Sequence, residues 1–369
     1  MTDFSERKGP AGYTDMTKTA LIMAGGTGGH IFPGLAVAEA LRLRGWRVHW
    51  LGSPGSMESE LVPKRGFALE LIDFSGVRGK GLMTLALLPI RLLKAFWQSI
   101  QVVRRVKPDV VVGLGGYISF PGGMMSVLLG KPLVLHEQNS VAGLANKVLA
   151  GVADRVFTAF PNVMKTGLWV GNPLRLEFMN QADPAARLTG RSGPLNLLVV
   201  GGSLGAKALN DVVPQALALI PEAVRPVVTH QSGAKQIDAL RASYAAAGVQ
   251  ATLTPFINDT AKAFAQADLI ICRAGASTVT EIAAVGAAAI FVPFPFAVDD
   301  HQTTNARFLT DAGGGWLVQQ CDLSPEKLAQ MLQKTELVEL ISKGLEAKKM
   351  QKMDATRLMV AACEELAKK

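Results

Sequence analysis

Apolar runs of five or six residues recur along the chain, separated by longer stretches in which hydrophobic positions return every three or four residues. In the first half the runs fall at 19–24, 47–51, 68–72, 109–113, 132–136 and 154–158; in the second at 195–200, 226–230, 250–254, 268–272 and 288–292. Short continuous apolar runs bounded by turn residues are strands buried on both faces. Their alternation with amphipathic helices implies parallel sheets covered on both sides. One helix is expected over Pro33–Arg44 and another over roughly 340–367.

The second half opens as the first does. Thr19–Ala24 leads into Gly25-Gly26-Thr27-Gly28-Gly29-His30, and Leu195–Val200 leads into Gly201-Gly202-Ser203-Leu204-Gly205-Ala206. Two strand–glycine-turn–helix openings about 175 residues apart suggest two Rossmann-like, doubly wound parallel-sheet domains, with Pro173–Pro194 as the linker. Ligands of such sheets sit beyond the carboxyl ends of the strands, so two facing domains make a cleft with a glycine-rich turn on each wall. The chain of 369 residues is long enough for two cores.

Glycine turns of this kind bring backbone close to a ligand, and unpaired N–H groups at a helix start favour an anion. A dinucleotide site fits poorly, because Ile31 stands at the third glycine position and the second strand ends in Gly52-Ser53 without an acid. A P-loop is absent, since Gly79-Lys80 and Gly130-Lys131 are followed by Gly and Pro. Three further clusters lie at strand ends: Cys272–Glu281, Asp299–Asn305 and His136–Asn139. Ser277 and Thr278 can cap a helix whose N–H groups meet a pyrophosphate. Glu281, a turn later, can accept two hydrogen bonds from a ribose diol, or simply complement the helix dipole.

Composition narrows the setting. The formal charge is +8, which draws the chain toward something anionic. Cys272, Cys321 and Cys363 are odd in number and lack a paired spacing, so a reduced, cytoplasmic protein is expected. The five histidines show no metal spacing, and no Asp-x-Asp occurs, so no metal site is expected. Met1–Met16 is polar, lacks the apolar core of a signal peptide, and reads as a disordered extension. Val110–Gly130 is uncharged but holds six glycines and Pro121, which split it into strand, turn and helix start rather than a membrane span.

The motifs GGTGGHIFPGLAVAEAL, GLGGYISFPGG, HEQNSVAGLANK, GNPLR, GGSLGA, CRAGASTVTE and DDHQTTNA, in this order across residues 19–345, closely resemble the MurG family of peptidoglycan N-acetylglucosaminyltransferases. The resemblance implies the two-domain GT-B fold. It implies inverting, metal-independent transfer of N-acetylglucosamine from UDP-N-acetylglucosamine to lipid I, giving lipid II, without a cofactor. By motif position the substrate-binding residues are Thr27, Gly28, Gly29, Asn139, Arg175, Ser203, Ile257, Ala276, Ser277, Thr278, Val279, Thr280, Glu281 and Gln302. The attacking hydroxyl needs a base; His30 is the first candidate and Glu137 the second.

The chain divides into the extension 1–16, an acceptor- and membrane-facing domain 17–176, a donor-binding domain 177–345, and a tail helix at about 346–369 that can pack back on the first domain, which the sequence alone does not show. A lipid acceptor requires a bilayer, at the cytoplasmic face of the inner membrane. Arg78–Lys107 carries seven cations (Arg78, Lys80, Arg91, Lys94, Arg104, Arg105, Lys107) and no acid. These are interleaved with Leu82, Leu85, Leu88, Leu92, Phe96 and Trp97, which suits anionic phospholipid. Cell-wall synthesis and division proteins are further candidate partners; nucleic acid is not expected. Open alternatives are another GT-B enzyme with a lipid or natural-product acceptor, a UDP-sugar 2-epimerase, and a membrane-bound scaffold.

Overall fold

The computed structural model describes residues 17–76, 87–202 and 204–368. The first sheet contains β1 (Thr19–Met23), β2 (Arg47–Gly52), β3 (Ala68–Leu71), β4 (Val110–Gly113), β5 (Leu133–Glu137), β6 (Arg155–Thr158) and β7 (Leu168–Trp169). The second contains β8 (Asn196–Val200), β9 (Val227–Gln231), β10 (Thr252–Thr254), β11 (Leu269–Cys272), β12 (Ala288–Phe291) and β13 (Gly315–Leu317). Their spatial orders are β3-β2-β1-β4-β5-β6-β7 and β10-β9-β8-β11-β12-β13. Every strand pair is parallel.

The two sheets thus share one winding, and in each the order reverses beside the first strand. That reversal opens a crevice between β1 and β4 in one domain and between β8 and β11 in the other. Both crevices begin with a glycine-rich turn.

The unbroken apolar strands have a simple cause. Ala20, Ile22 and Ala24 join one buried cluster, while Leu21 and Met23 point the other way into a second. In the second sheet Leu198 and Ile270 pack on one face, and Leu197, Val199, Leu269 and Ile271 on the other. Successive side chains of a strand alternate between faces, so a sheet covered twice needs apolar residues at every position.

The helices of the first domain are α1 (Gly28–Leu43), α2 (Met57–Lys64), α3 (Leu88–Val106), α4 (Ser119–Leu128) and α5 (Leu144–Leu149). Short helices α6 (Leu176–Met179) and α7 (Pro184–Leu188) occupy the linker. The second domain adds α8 (Lys207–Ala218), α9 (Ile237–Ala247), α10 (Thr260–Gln266), α11 (Ala276–Val285), α12 (His301–Thr310), α13 (Pro325–Lys334) and α14 (Leu337–Lys349); α15 (Ala355–Leu366) closes the chain. Among the described residues no helix is long and apolar enough to cross a membrane.

Three expectations need correction. The first helix starts at Gly28 rather than Pro33, so His30 lies in its first turn and Pro33 inside it. The single tail helix is two, broken over residues 350–354. The edge strands β7 and β13 were not foreseen.

The tail crosses between domains at that break. α14 packs on the second domain, where Gly344 lies so close to Gly286 that a Cβ on it would sit 2.6 Å from the Gly286 carbonyl oxygen. α15 buries Met359, Val360 and Cys363 in the same cluster as Ala38 and Leu41 of α1. The outward crossing near Gly171 and the return near Lys352 lie side by side; a Cβ on Gly171 would stand 2.5 Å from that of Lys352.

Candidate active site

On the first wall, α1 begins at the glycine turn with Thr27 at its N-cap, and no side chain caps it. Thr27 is exposed, and its carbonyl accepts from the N–H groups of His30 and Ile31, which leaves those of Gly28 and Gly29 unpaired among the described residues. The turn is gripped from behind. Buried Glu58 accepts from the N–H groups of Gly26 (3.1 Å) and Ser53 (3.2 Å). Gly116 meets it so tightly that a Cβ there would lie 2.3 Å from the Gly25 carbonyl oxygen.

His30 is half-buried, and its Nδ1 lies 3.0 Å from the Leu114 carbonyl oxygen and 3.1 Å from Gln138 Oε1. A carbonyl only accepts, so Nδ1 carries the proton and Nε2 keeps its lone pair. A neutral imidazole in this tautomer is set up to take a proton at Nε2.

The residues following β5 have separate tasks. His136 is fully buried, donates from Nε2 to the Gly171 carbonyl (2.9 Å), and is pushed down to about 4 by burial, so it stays neutral. Glu137 is also buried, and its carboxylate accepts from Asn139 N–H (2.9 Å), Asn139 Nδ2 (3.4 Å), Gly143 N–H (3.2 Å) and Asn146 Nδ2 (2.8 Å). Those four bonds use its lone pairs to shape the loop that follows.

On the second wall, α11 starts at Gly275 without a side-chain cap, unlike α2, α10 and α13, which Ser56, Asp259 and Ser324 cap. The first intrahelical bond runs from Val279 N–H to the Gly275 carbonyl, so the N–H groups of Ala276, Ser277 and Thr278 are unpaired among the described residues. An uncapped helix start of this kind favours negative charge. Within the expected run 276–281, Val279 is core and the Thr280 hydroxyl bonds back to the Ala276 and Ser277 carbonyls. Those two side chains therefore build the helix, and the Val279 N–H is already paired with the Gly275 carbonyl, so the unpaired donors of this helix start are those of residues 276–278.

Glu281 is half-buried on the same helix, with Arg175 Nη2 3.9 Å away. Burial raises its carboxyl to about 7, against the pull of Arg175. Arg175 also donates to Thr260 Oγ1 (2.7 Å) and lies over Phe178 of the linker (4.9 Å) and Phe32 of α1 (5.8 Å). Its guanidinium thus stands at the junction of the domains. Ile257, after β10, is half-buried, and its backbone N–H and C=O have no partner among the described residues. Gln302 Oε1 accepts from Phe294 N–H (3.0 Å), which leaves Nε2 free to donate. Asp299 and Asp300, just before it, both hold left-handed conformations (φ 52° and 47°), a strain typical of functional turns. Ser203 lies outside the described residues.

The structure adds side chains to which no role was given from the sequence. Asn305 of α12, fully buried, donates to the Ala274 carbonyl (3.1 Å) and Asn139 Oδ1 (3.4 Å) and accepts from Ser140 N–H (2.9 Å) and Oγ (2.8 Å). Ser140 Oγ also lies 2.7 Å from Thr304 Oγ1. One amide thus ties the loop after β5 to the turn that starts α11. Asn305, Gln138 and Glu58 gave no signal beyond their place in polar stretches, because the contacts that matter to the cleft (Asn305 with Ser140, Gln138 with His30, Glu58 with Gly26) join residues far apart in sequence.

The basic segment is visible from Leu87 onward; Arg78, Lys80, Leu82 and Leu85 lie outside the described residues. The expected apolar face needs correction. Leu88, Leu92 and Phe96 turn inward, the two leucines against the core and Phe96 against Phe120 at 5.9 Å. Of the expected residues Trp97 does face outward, and with Ile90 and Leu93 it forms the exposed side of α3, beside exposed Arg91 and Lys94.

Comparison with known proteins agrees with this architecture. The glycosyltransferase family 28 N-terminal domain matches residues 20–158, and the family 28 C-terminal domain matches residues 196–361. A Paracidovorax citrulli protein named UDP-N-acetylglucosamine–N-acetylmuramyl-(pentapeptide) pyrophosphoryl-undecaprenol N-acetylglucosamine transferase is 78% identical over 349 residues, covering 95% of this chain and 98% of the relative. A Cupriavidus pinatubonensis protein of the same name is 61% identical, covering 95% and 99%. The crystal structure of Acinetobacter baumannii MurG superposes with a TM-score of 0.82 at 41% identity, covering 94% of this chain and 99% of that one. The calicheamicin glycosyltransferase CalG4, at 16% identity and a TM-score of 0.65 over 95% of this chain and 98% of its own, shares the fold alone. Two facing parallel-sheet domains of this winding are the GT-B fold, and the chain belongs to glycosyltransferase family 28, in its MurG branch.

Proposed function

We propose that this cleft transfers N-acetylglucosamine from UDP-N-acetylglucosamine to the C4 hydroxyl of the muramoyl sugar of lipid I, releasing UDP and lipid II. The carrying observation is the opposition of two unlike walls. One presents a histidine locked with its lone pair on Nε2; the other presents an uncapped helix start beside a guanidinium and a carboxylate.

The hydroxyl attacks the anomeric carbon from the face opposite UDP, so the configuration inverts. Its proton passes to His30 Nε2 while the bond from the anomeric carbon to the pyrophosphate oxygen breaks, and that electron pair leaves with UDP. The N–H groups of Ala276, Ser277 and Thr278, together with Arg175 and Ser203, stabilise the departing charge. A preorganised donor of this kind is worth about 3 kcal/mol in a transition state, and the set takes the part a divalent cation plays elsewhere. Glu281 holds the ribose diol and the Ile257 backbone the uracil edge. Gln302 and Asn139 address the sugar, and Thr27, Gly28 and Gly29 complete the cleft. Glu137, bound by four donors, serves as the organiser of its loop rather than as the base.

In this reading residues 17–176 serve the acceptor and the membrane, and residues 177–345 the donor. The exposed Ile90, Leu93 and Trp97 support contact with an anionic cytoplasmic leaflet. Each nearby cation adds about 1 kcal/mol to such contact.

The test is product formation from labelled UDP-N-acetylglucosamine and a soluble-chain lipid I analogue. A disaccharide-bearing product and UDP are expected, and their absence refutes the reading. His30→Ala is expected to lower turnover about 10²- to 10⁴-fold; near-normal turnover removes His30 as the base.

A further inference from the structure

The fold places a neutral amide, Gln138, where a histidine base needs an orienting partner. From the position of Gln138 Oε1 against His30 Nδ1 we infer that Gln138 is a positioning residue that fixes the tautomer of His30 and steadies its imidazolium. The inference rests on the reading of His30 as base.

Three independent features carry it. First, Nδ1 lies between two acceptors, the Leu114 carbonyl oxygen at 3.0 Å and Gln138 Oε1 at 3.1 Å. Because the carbonyl can only accept, the ring must donate from Nδ1, and Gln138 must face it with oxygen instead of NH₂. Second, Gln138 is 1% exposed, and its Nε2 is buried without a partner among the described residues. A buried unpaired donor is costly, so a fold that keeps this orientation has its reason on the oxygen side. Third, Gly115, with φ +92°, makes room for the pair. A Cβ there would stand 2.8 Å from His30 Nδ1 and 3.4 Å from Gln138 Oε1.

The chemistry follows. When the acceptor hydroxyl loses its proton to Nε2, the ring becomes cationic, and its Nδ1–H then faces two oxygen acceptors. Both favour the charged form. Among the described residues, the other titratable groups on the elements around the start of α1 are His136 and Glu137 of β5, Glu58 of α2, Tyr117 just before α4, Arg175, which lies over Phe32, and Glu281 of α11. His136 is held neutral by burial, the Glu58 and Glu137 carboxylates are bound to backbone N–H groups, and Glu281 faces Arg175 at 3.9 Å. Burial, reinforced by the Glu58 charge, raises Tyr117, so it too stays neutral. Gln138 is thus the side chain through which the basicity of His30 is set.

A double-mutant cycle tests this with the full chain, UDP-N-acetylglucosamine and a lipid I analogue. Gln138→Met keeps the length and removes the acceptor. It is expected to lower kcat about 10- to 100-fold, as loss of an orienting partner does elsewhere, with the donor KM unchanged. In the His30→Ala background the same substitution is expected to change nothing further, because Gln138 acts through His30. Gln138→Glu is expected to move the acid limb of the kcat profile about one pH unit higher. An equal loss from Gln138→Met with and without His30, or no loss with His30 present, overturns the inference while leaving the base intact. If His30→Ala alone keeps near-normal kcat, the base reading itself fails.

Discussion

With Glu281 on the ribose, as proposed, donor binding is expected to depend on pH in a direction that can be worked out beforehand. Burial lifts its carboxyl to about 7, with Arg175 at 3.9 Å holding it from rising further. A ribose diol donates hydrogen bonds, so it binds the ionised carboxylate best. The binding-competent fraction is then about 0.9 at pH 8, 0.5 at pH 7 and 0.1 at pH 6, and the apparent Kd weakens roughly tenfold between pH 8 and pH 6. That is about 1.4 kcal/mol. UDP-N-acetylglucosamine suits the measurement because both its phosphates keep their charge over this range. Titration calorimetry at pH 6, 7 and 8 gives the slope. Repeating it at pH 7 in two buffers of different ionisation enthalpy should show about half a proton released per donor bound. Glu281→Gln should bind weakly and without a slope. An imidazolium in the cleft would give the opposite slope, since it would strengthen anion binding in acid. A Kd constant from pH 6 to pH 8, or a slope that survives Glu281→Gln, refutes the assignment of Glu281 to the ribose.

The same carboxyl bears on stability. The folded chain holds this proton to about 7 and the unfolded chain only to about 4.5, so stability of the free protein falls as pH rises between those values; Glu281→Gln should therefore raise the Tm at pH 8 and have little effect at pH 4.5. Asn305→Ala leaves the Ala274 carbonyl and Ser140 N–H without their partner. A loss of about 1–3 kcal/mol in urea unfolding is expected, with a lower kcat/KM because the two cleft loops lose their tie; unchanged values for both would show that the contact is incidental. Replacing Ile90, Leu93 and Trp97 with serine should abolish flotation with anionic vesicles while turnover of a soluble acceptor analogue persists; equal flotation of the variant would place the membrane contact elsewhere.

Much of the fold could be read from the chain because a doubly covered sheet leaves its strands no polar face. The predicted strands fall within two residues of those observed. The edge strands escaped for the converse reason: Leu168–Trp169 and Gly315–Leu317 are too short to stand out from a turn. The start of α1 was hidden by Gly28 and Gly29, poor helix formers, and by Pro33, which looks like a first-turn residue. The glycine turns and the acid at 281 were visible because their chemistry is local. Gln138 and Asn305 were not, because the first meets His30 across 108 positions and the second meets Ser140 across 165. Burial decided the remaining differences. It turned Thr280 back onto its own helix, bound Glu137 into its loop, and drew Leu88, Leu92 and Phe96 inward from a face that looked free.

The central claim is that backbone amides and Arg175 carry the pyrophosphate charge of the donor. Its most direct test is the initial rate of lipid II formation by the purified full chain in excess EDTA, with and without added magnesium. The same rate in both conditions is predicted. Complete loss in EDTA, restored by magnesium, would contradict the account.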